Sequence, residues 1–460
     1  MNDLSLTNTA PSATKCPHTI GVTQLSAMRP SDALTAEATE RSDSSEGEGP
    51  TPFESLPKEA FLGSVTSGVV WLHGPCWLRQ QLGDGPMFGA AALVLAEMLR
   101  VSIERKRDEV PLSWAWVRSL VGDSKSRTLI SKLKEMGAIV PAGLRGPWYF
   151  KIPNRYRFTS NYKRLPIGPV ELGPKLVLRY KEHHDNLIQE TLSSAPVYKV
   201  LWEDLRHLSL HASWVNCMPS FSASEWMKEW SWLRSVERIA TKECYFSCTR
   251  AKPGVSDLPG RLHTTFCSTP GALRKYALID GAPVTCIDVK ASQPYLHSTL
   301  IPDCEEKRRY LQLVKSGRFY EELAAAGKMT EAPRAKIKQQ VFTYVYYGRN
   351  VAAEQSPLWT AFRSLFPRLA EAIWRIKQNG HQLLPIKMQF LEANIILHTA
   401  VPALKEREPE AKVLTVHDAI YVRTEYVNTA LECLRDAFQT HTGDSPEFNV
   451  EGPPTYTTAG

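Results

Sequence analysis

Cysteine is scarce in this 460-residue chain: nine residues, scattered, with no dense framework of the kind that staples a small secreted domain. Cys244 and Cys248 stand four residues apart, but no second pair completes a zinc site, so both are expected to be packing thiols. No secretory apolar segment opens the sequence, and cytoplasmic, reducing conditions are the expectation. Long hydrophobic runs are also missing. The nearest, "FLGSVTSGVVWLHGPCWL" from Phe61 to Leu78, is interrupted by His73, Pro75 and repeated glycine before it reaches spanning length, so no membrane partner is expected. The chain shows no convincing internal repeat. Its N-terminal half yields no ordered set of carboxylates, so a nuclease site is not expected there.

What is present is a 43% hydrophobic composition over enough length to build a large core and two or more structural units. The net charge is +7, yet the first 59 residues hold nine acids against four bases, −5, so the remainder carries about +12. A positive folded portion suits a phosphate-rich partner without specifying one. Residues 1–55, with "ATERSDSSEGEGP", would gain little by burial and read as a flexible tail.

Residues 56–165 read as a helical region with a winged helix-turn-helix. "GPMFGAAALVLAEMLRV", from Gly85 to Val101, is helical in pattern. A helix ending near Gly122, a cap at Asp123 or Ser124, and a second helix to about Met136 broken by Gly137 follow. "WYFKI" and "YRF", around Pro153 and Asn154, suggest a hairpin. The second helix would present Lys125, Arg127, Lys132 and Lys134, which do not all share one face; a packing domain with a solvated basic surface is the alternative. Residues 166–255 read as a helical thumb-like or connecting region, with Trp202, Trp214, Trp226, Trp230 and Trp232 as core contacts.

The chemistry-bearing stretches lie beyond Gly254. In "VTCIDVKASQPYL", an apolar strand carries Asp288 to its end, and Pro294 stops the strand from continuing. In "KVLTVHDAIYVRT", 130 positions on, Lys412–Val416 and Ile420–Val422 are expected to be strands joined through His417, Asp418 and Ala419. If these strands share a sheet, Asp288 and Asp418 meet. Two adjacent carboxylates repel, and two Mg²⁺ ions would offset that repulsion. Between them, "RAKIKQQVFTYVYYG" repeats Arg334, Lys338, Phe342 and Tyr346 every fourth residue, a helix stripe drifting over about 120° and closed by Gly348.

Taken in order, these blocks resemble the palm and fingers of family A DNA polymerases and the related single-subunit RNA polymerases, over about Gly260 to Thr424. The resemblance implies an α+β fold: a palm with an antiparallel sheet and helical fingers over residues 256–460. It implies that Asp288 (motif A) and Asp418 (motif C) hold two Mg²⁺ ions, with Mn²⁺ as a substitute. Arg334 and Lys338 would neutralise the triphosphate and Lys338 would donate a proton to pyrophosphate. Phe342 would pack beside the sugar, and Tyr346 or Tyr347 would stack near the template base. His417 would position the primer terminus, and Arg261, Arg274 and Gln389 would contact nucleic acid.

Three departures stand out. Gln293 replaces the usual sugar-excluding Glu of the DNA enzymes, Tyr347 is inserted before Gly348, and Ala419 stands where a Glu is common. The implied activity is DNA synthesis from dNTPs on a DNA template and primer. RNA synthesis or priming from NTPs is the alternative, as is an inactive replication factor recruited to duplex DNA by the winged helix. The implied source is a bacterium, phage or mobile element.

Overall fold

The computed structural model describes residues 68–105, 109–142, 154–165, 167–217, 226–242 and 245–455, all within one unit spanning Pro50–Gly460. The expected tail, the "WYFKI" strand and Cys244 lie outside the described residues.

Two apolar cores organise what is described. The first gathers side chains from Val70 to Leu172. Here β1 (Val69–His73) pairs antiparallel with a late strand, and helix Pro86–Arg105 buries Ala90–Leu95 completely or nearly so. Next come β2 (Val110–Leu112), helix Trp114–Val121, helix Asp123–Glu135, β3 (Ile139–Pro141) and β4 (Asn154–Phe158). The Ser113 side chain caps the first of these helices by accepting from the Trp116 amide at 3.4 Å. Gly122, at φ 84°, makes the turn to the next, and Gly137, at φ 72°, leaves it. The sheet order is β2-β4-β3, all antiparallel. Both helices stand where the sequence puts them. Of the expected hairpin only one arm is described: "YRF" lies in β4 and pairs with Ile139–Pro141, with Asn154 opening the strand, while "WYFKI" lies outside the described residues.

Strand β5 (Ile167–Glu171) is the partner of β1, so the first strand beyond residue 165 completes the N-terminal core. The helices Pro174–Ser194, Pro196–Arg206 and Trp226–Ala240 then lead towards the second core. Trp232 is buried and Trp202 meets Phe246 edge-on at 5.2 Å, whereas Trp214 is half-buried; the side chains of Trp226 and Trp230 are not among those described.

The second core, from Ala195 to Phe438, lies beneath an antiparallel sheet. Its strands are β6 (Leu208–Leu210), β9 (Ala277–Ile279), β10 (Ala282–Val289), β11 (Leu414–Val416), β12 (Ala419–Arg423) and β13 (Phe448–Glu451), in the order β11-β12-β10-β9-β6. Strand β13 runs along the end of β10. A short ribbon of β7 (Phe246–Cys248) and β8 (Leu262–Thr264) stands apart from it. Strand alternation divides β10: Ile287 and Val289 are buried, while Cys286 and Asp288 open onto a cleft. The helical insertion between β10 and β11 carries Gln293, Lys338, Tyr347 and Glu392. The fold is α+β. Among the described residues no helix is long and apolar enough to cross a membrane.

Candidate active site

The central strand β10 brings Asp288 opposite Ala419 of β12 on one side and Asn449 of β13 on the other. The β11–β12 connection has only His417 and Asp418 between the paired residues Val416 and Ala419. His417 takes a left-handed φ of 54°, which makes so tight a turn close. Asp418 therefore stands beside Asp288, and its carbonyl accepts from the Val289 amide at 3.4 Å. Both acids line an open cleft of about 610 Å³ together with Arg274, Lys275, His417 and Asn449.

Neither carboxylate has an ion-pair partner among the described residues. Burial, then the charge of Asp418, raises the pKa of Asp288 to about 6; Asn449, Lys338 and Arg274 pull it back. Burial also raises Asp418, opposed by Arg261 and Lys338 among others. Burial lowers His417 to about 4, with Arg261, His263 and Arg274 adding to the effect, so the ring is neutral at pH 7. Its buried Nδ1 has no hydrogen-bond partner. Among the described residues no group of three or more His, Cys, Asp or Glu side chains is arranged to hold a metal. The donor set is two hard oxygen ligands facing open space. That suits Mg²⁺, which binds through one or two carboxylates plus substrate phosphates and retains waters, rather than a cation needing an all-protein cage.

The helix Arg334–Gln340 continues into a wider π-helical turn over Val341–Tyr347. A π turn holds one residue more than an α turn, and both Tyr346 and Tyr347 fall within this one. Gly348 is required where it stands, because a Cβ there would lie 2.2 Å from the Thr343 carbonyl oxygen. Lys338 is exposed, and its charge acts on both acids. Arg334 is also exposed but is engaged by Glu321, donates to the Gly317 carbonyl at 3.2 Å and lies over the Tyr320 ring at 5.2 Å. Phe342 is half-buried against Tyr347, with ring centroids 5.3 Å apart.

Tyr346 departs from the expectation. It is fully buried, its ring stacks on His297 at 4.0 Å and its hydroxyl meets that of Tyr310 at 2.9 Å, so it is a core residue and offers no face to a base. Tyr347 is half-buried, and its hydroxyl is directed to Gln293.

Tyr347 introduces a network that the motifs alone did not expose. Its hydroxyl donates to Gln293 Oε1 at 3.3 Å, and Gln293 Nε2 donates to Glu392 Oε2 at 2.9 Å. Glu392 also receives Arg261 Nε and Nη2 at 2.8 and 2.9 Å, a bidentate pair. Burial raises the Glu392 pKa to about 7, opposed by Arg261 and reinforced by Asp418. Arg261, expected to face nucleic acid, thus commits its guanidinium to Glu392. The Gln at position 293 also acquires a reason: an acid there would place a second carboxylate against a buried one. Glu392 lies in the stretch "LPIKMQFLEANII", three residues beyond Gln389, but nothing in its spacing marks it. Gln389 itself is half-buried on helix Leu383–Ile395. Arg274 donates to the Thr269 carbonyl at 2.9 Å and lines the acid cleft, with its Nε buried and unpartnered.

Lys377 is a second residue that pattern reading missed. It is 4% exposed and donates to the carbonyls of Tyr344 and Val345 at 3.2 and 3.0 Å, with its ammonium 5.5 Å from the Trp359 ring. These are the groups left without helical partners where the π turn ends. Burial lowers its pKa to about 8.

No protein-family model matches the chain, and no curated protein matches it. Among solved structures it is similar to the POL domain of Pol1 from M. smegmatis in complex with DNA primer-template and dNTP, at a TM-score of 0.38 and 13% identity, covering 50% of this chain and 51% of that one. The chain spans about half the length of that structure. A likeness of this degree assigns neither family nor activity.

Proposed function

We propose that the chain is a metal-dependent nucleotidyltransferase that extends a nucleic-acid 3′ end on a template, with DNA synthesis from dNTPs as its reaction. The observation that carries the reading is the juxtaposition of Asp288 on β10 with Asp418 in the turn that leads into the neighbouring β12, unneutralised by any ion pair among the described residues, beside the exposed Lys338. A structural role would favour compensating such a pair. A catalytic role leaves it open to cations and substrate phosphates.

Asp288 and Asp418 would hold two Mg²⁺ ions, or Mn²⁺ in their place. Bound there, the ions would favour deprotonation of the attacking 3′-hydroxyl and neutralise the triphosphate and the departing pyrophosphate. The rest falls to the chain's own groups. Lys338 neutralises triphosphate oxygens and donates a proton to the leaving pyrophosphate. Arg334 joins it by exchanging Glu321 for phosphate. Phe342 borders the sugar, and Tyr347 rather than Tyr346 presents a ring to the template base. Gln293, locked by Tyr347 and Glu392, forms a fixed polar wall at the sugar position. Neutral His417 offers its free Nδ1 to the primer end. Arg274 contributes positive charge at the cleft, and Gln389 is placed on the helix expected to meet the duplex. Arg261 acts through Glu392 as a positioning residue.

The test is Mg²⁺-dependent extension with separate dNTP and NTP mixtures on primed and unprimed templates, run beside Asp288→Asn and Asp418→Asn. Primer extension with dNTPs that both substitutions abolish is the expected result. Extension only with NTPs would transfer the reading to RNA synthesis or priming. Template binding without product under every condition would overturn catalysis.

A further inference from the structure

The N-terminal core carries a second surface that the proposed chemistry does not use. Its element order is helix Pro86–Arg105, β2, helix Trp114–Val121, helix Asp123–Glu135, β3, β4, with sheet order β2-β4-β3. In a helix-turn-helix of this kind the second helix is the one shaped to enter a DNA major groove. On Asp123–Glu135 the buried residues Ser126, Leu129, Ile130 and Leu133 fix the inner face. At 100° per residue, Ser124, Thr128 and Ser131 then run along the middle of the outer face. Lys125 and Lys132 fall along one edge of that strip, and Arg127 and Lys134 along the other. All four cations are exposed and none has an ion-pair partner among the described residues. Of the two acids on the helix, Asp123 is held by Arg118 at 2.8 Å and Glu135 closes the far end of the strip.

The sequence suggested that cations on different faces weaken a DNA role; their placement on two edges of one polar strip reverses that inference. A major groove about 12 Å wide has base edges on its floor and a phosphate backbone on each side. A helix about 10–12 Å across fits it. We propose that this helix is a double-stranded-DNA reading surface, with Lys125 and Lys132 on one backbone, Arg127 and Lys134 on the other, and Ser124, Thr128 and Ser131 facing base edges. This site lies on a different core from the Asp288/Asp418 cleft and does not depend on the activity proposed for it.

The test uses the full chain carrying Asp288→Asn, so that catalysis plays no part. Fluorescence anisotropy with labelled blunt duplex is measured across a salt series, and selection from a random duplex library reports base preference. Replacing all four cations by alanine should weaken binding to every sequence at least 10-fold at 0.1 M salt and lower the log–log salt slope by about one per lost phosphate contact. Thr128→Ala should change the selected sequence and leave the salt slope intact. Because these side chains are exposed, the melting temperature should hold. A folded four-alanine protein with unchanged duplex affinity and slope would overturn the proposal. So would a loss confined to single strands, or selection that enriches no sequence.

Discussion

The acid cleft and the basic helix handle charge in opposite ways. In the cleft, two carboxylates sit beside each other on a buried sheet, and burial plus mutual repulsion pushes Asp288 up to about 6. On the helix Asp123–Glu135, four cations stand in solvent where water and salt screen them. The first arrangement costs stability in the metal-free protein; the second costs little. A destabilising arrangement held between two strands is the stronger pointer to chemistry, because packing alone would favour its replacement.

The comparison breaks first at the acids themselves. Asp418→Asn should lower extension on the order of 10³-fold or more, the scale of losing several kcal/mol of charge stabilisation, as read by single-turnover primer extension. The same substitution should raise, not lower, the melting temperature of metal-free protein. A fall would mean that the pair is structural.

Gln293→Glu sharpens the difference between an exposed and a buried charge. It sets a carboxylate against Glu392, and urea unfolding should show a loss of about 2–4 kcal/mol. Adding Glu392→Gln should recover most of it, a coupling that an unrelated packing defect would not produce.

Lys377→Met retains the apolar stem and removes the donor to Tyr344 and Val345. It should cost about 1–3 kcal/mol in the same measurement.

The pH dependence follows from Asp288, whose folded pKa lies above the ordinary carboxyl value of 3.8. The native state holds the extra proton, so the contribution of this group is fully present below about pH 4 and is lost as pH rises through about 6. Equilibrium unfolding across that window should show this loss in wild type, a flatter profile in Asp288→Asn, and a flatter profile in wild type once Mg²⁺ is added. The smallest effect belongs to the helix: Lys132→Ala should change stability by no more than about 0.5 kcal/mol.

Much of this was legible in residue order. Alternation in "APVTCIDV", the two-residue gap around His417 and Asp418, and glycines 122 and 137 each act over a few neighbours, and strands and turns formed where such local preferences placed them. Less was legible where one residue's role depends on a distant partner. The stripe Arg334, Lys338, Phe342, Tyr346 assumed a regular helix, and the π turn separated Tyr346, in the core, from Tyr347, which reaches Gln293. Glu392 and Lys377 belong to no motif, because what defines them is what they meet: Arg261 and Gln293 for one, two orphan carbonyls for the other.

The sequence by itself determined which side chains can do chemistry, their order along the chain, and the strand, turn and helix periods that carry them, since these depend on local backbone preference and apolar spacing. Only the tertiary structure decided that Asp288 and Asp418 become neighbours, that Gln293 is held by a buried acid, and that of Tyr346 and Tyr347 the first is core while the second bonds to Gln293. Those outcomes depend on packing between segments up to 131 residues apart, as between Arg261 and Glu392. A burial cost or a hydrogen bond exists only once both partners are in place.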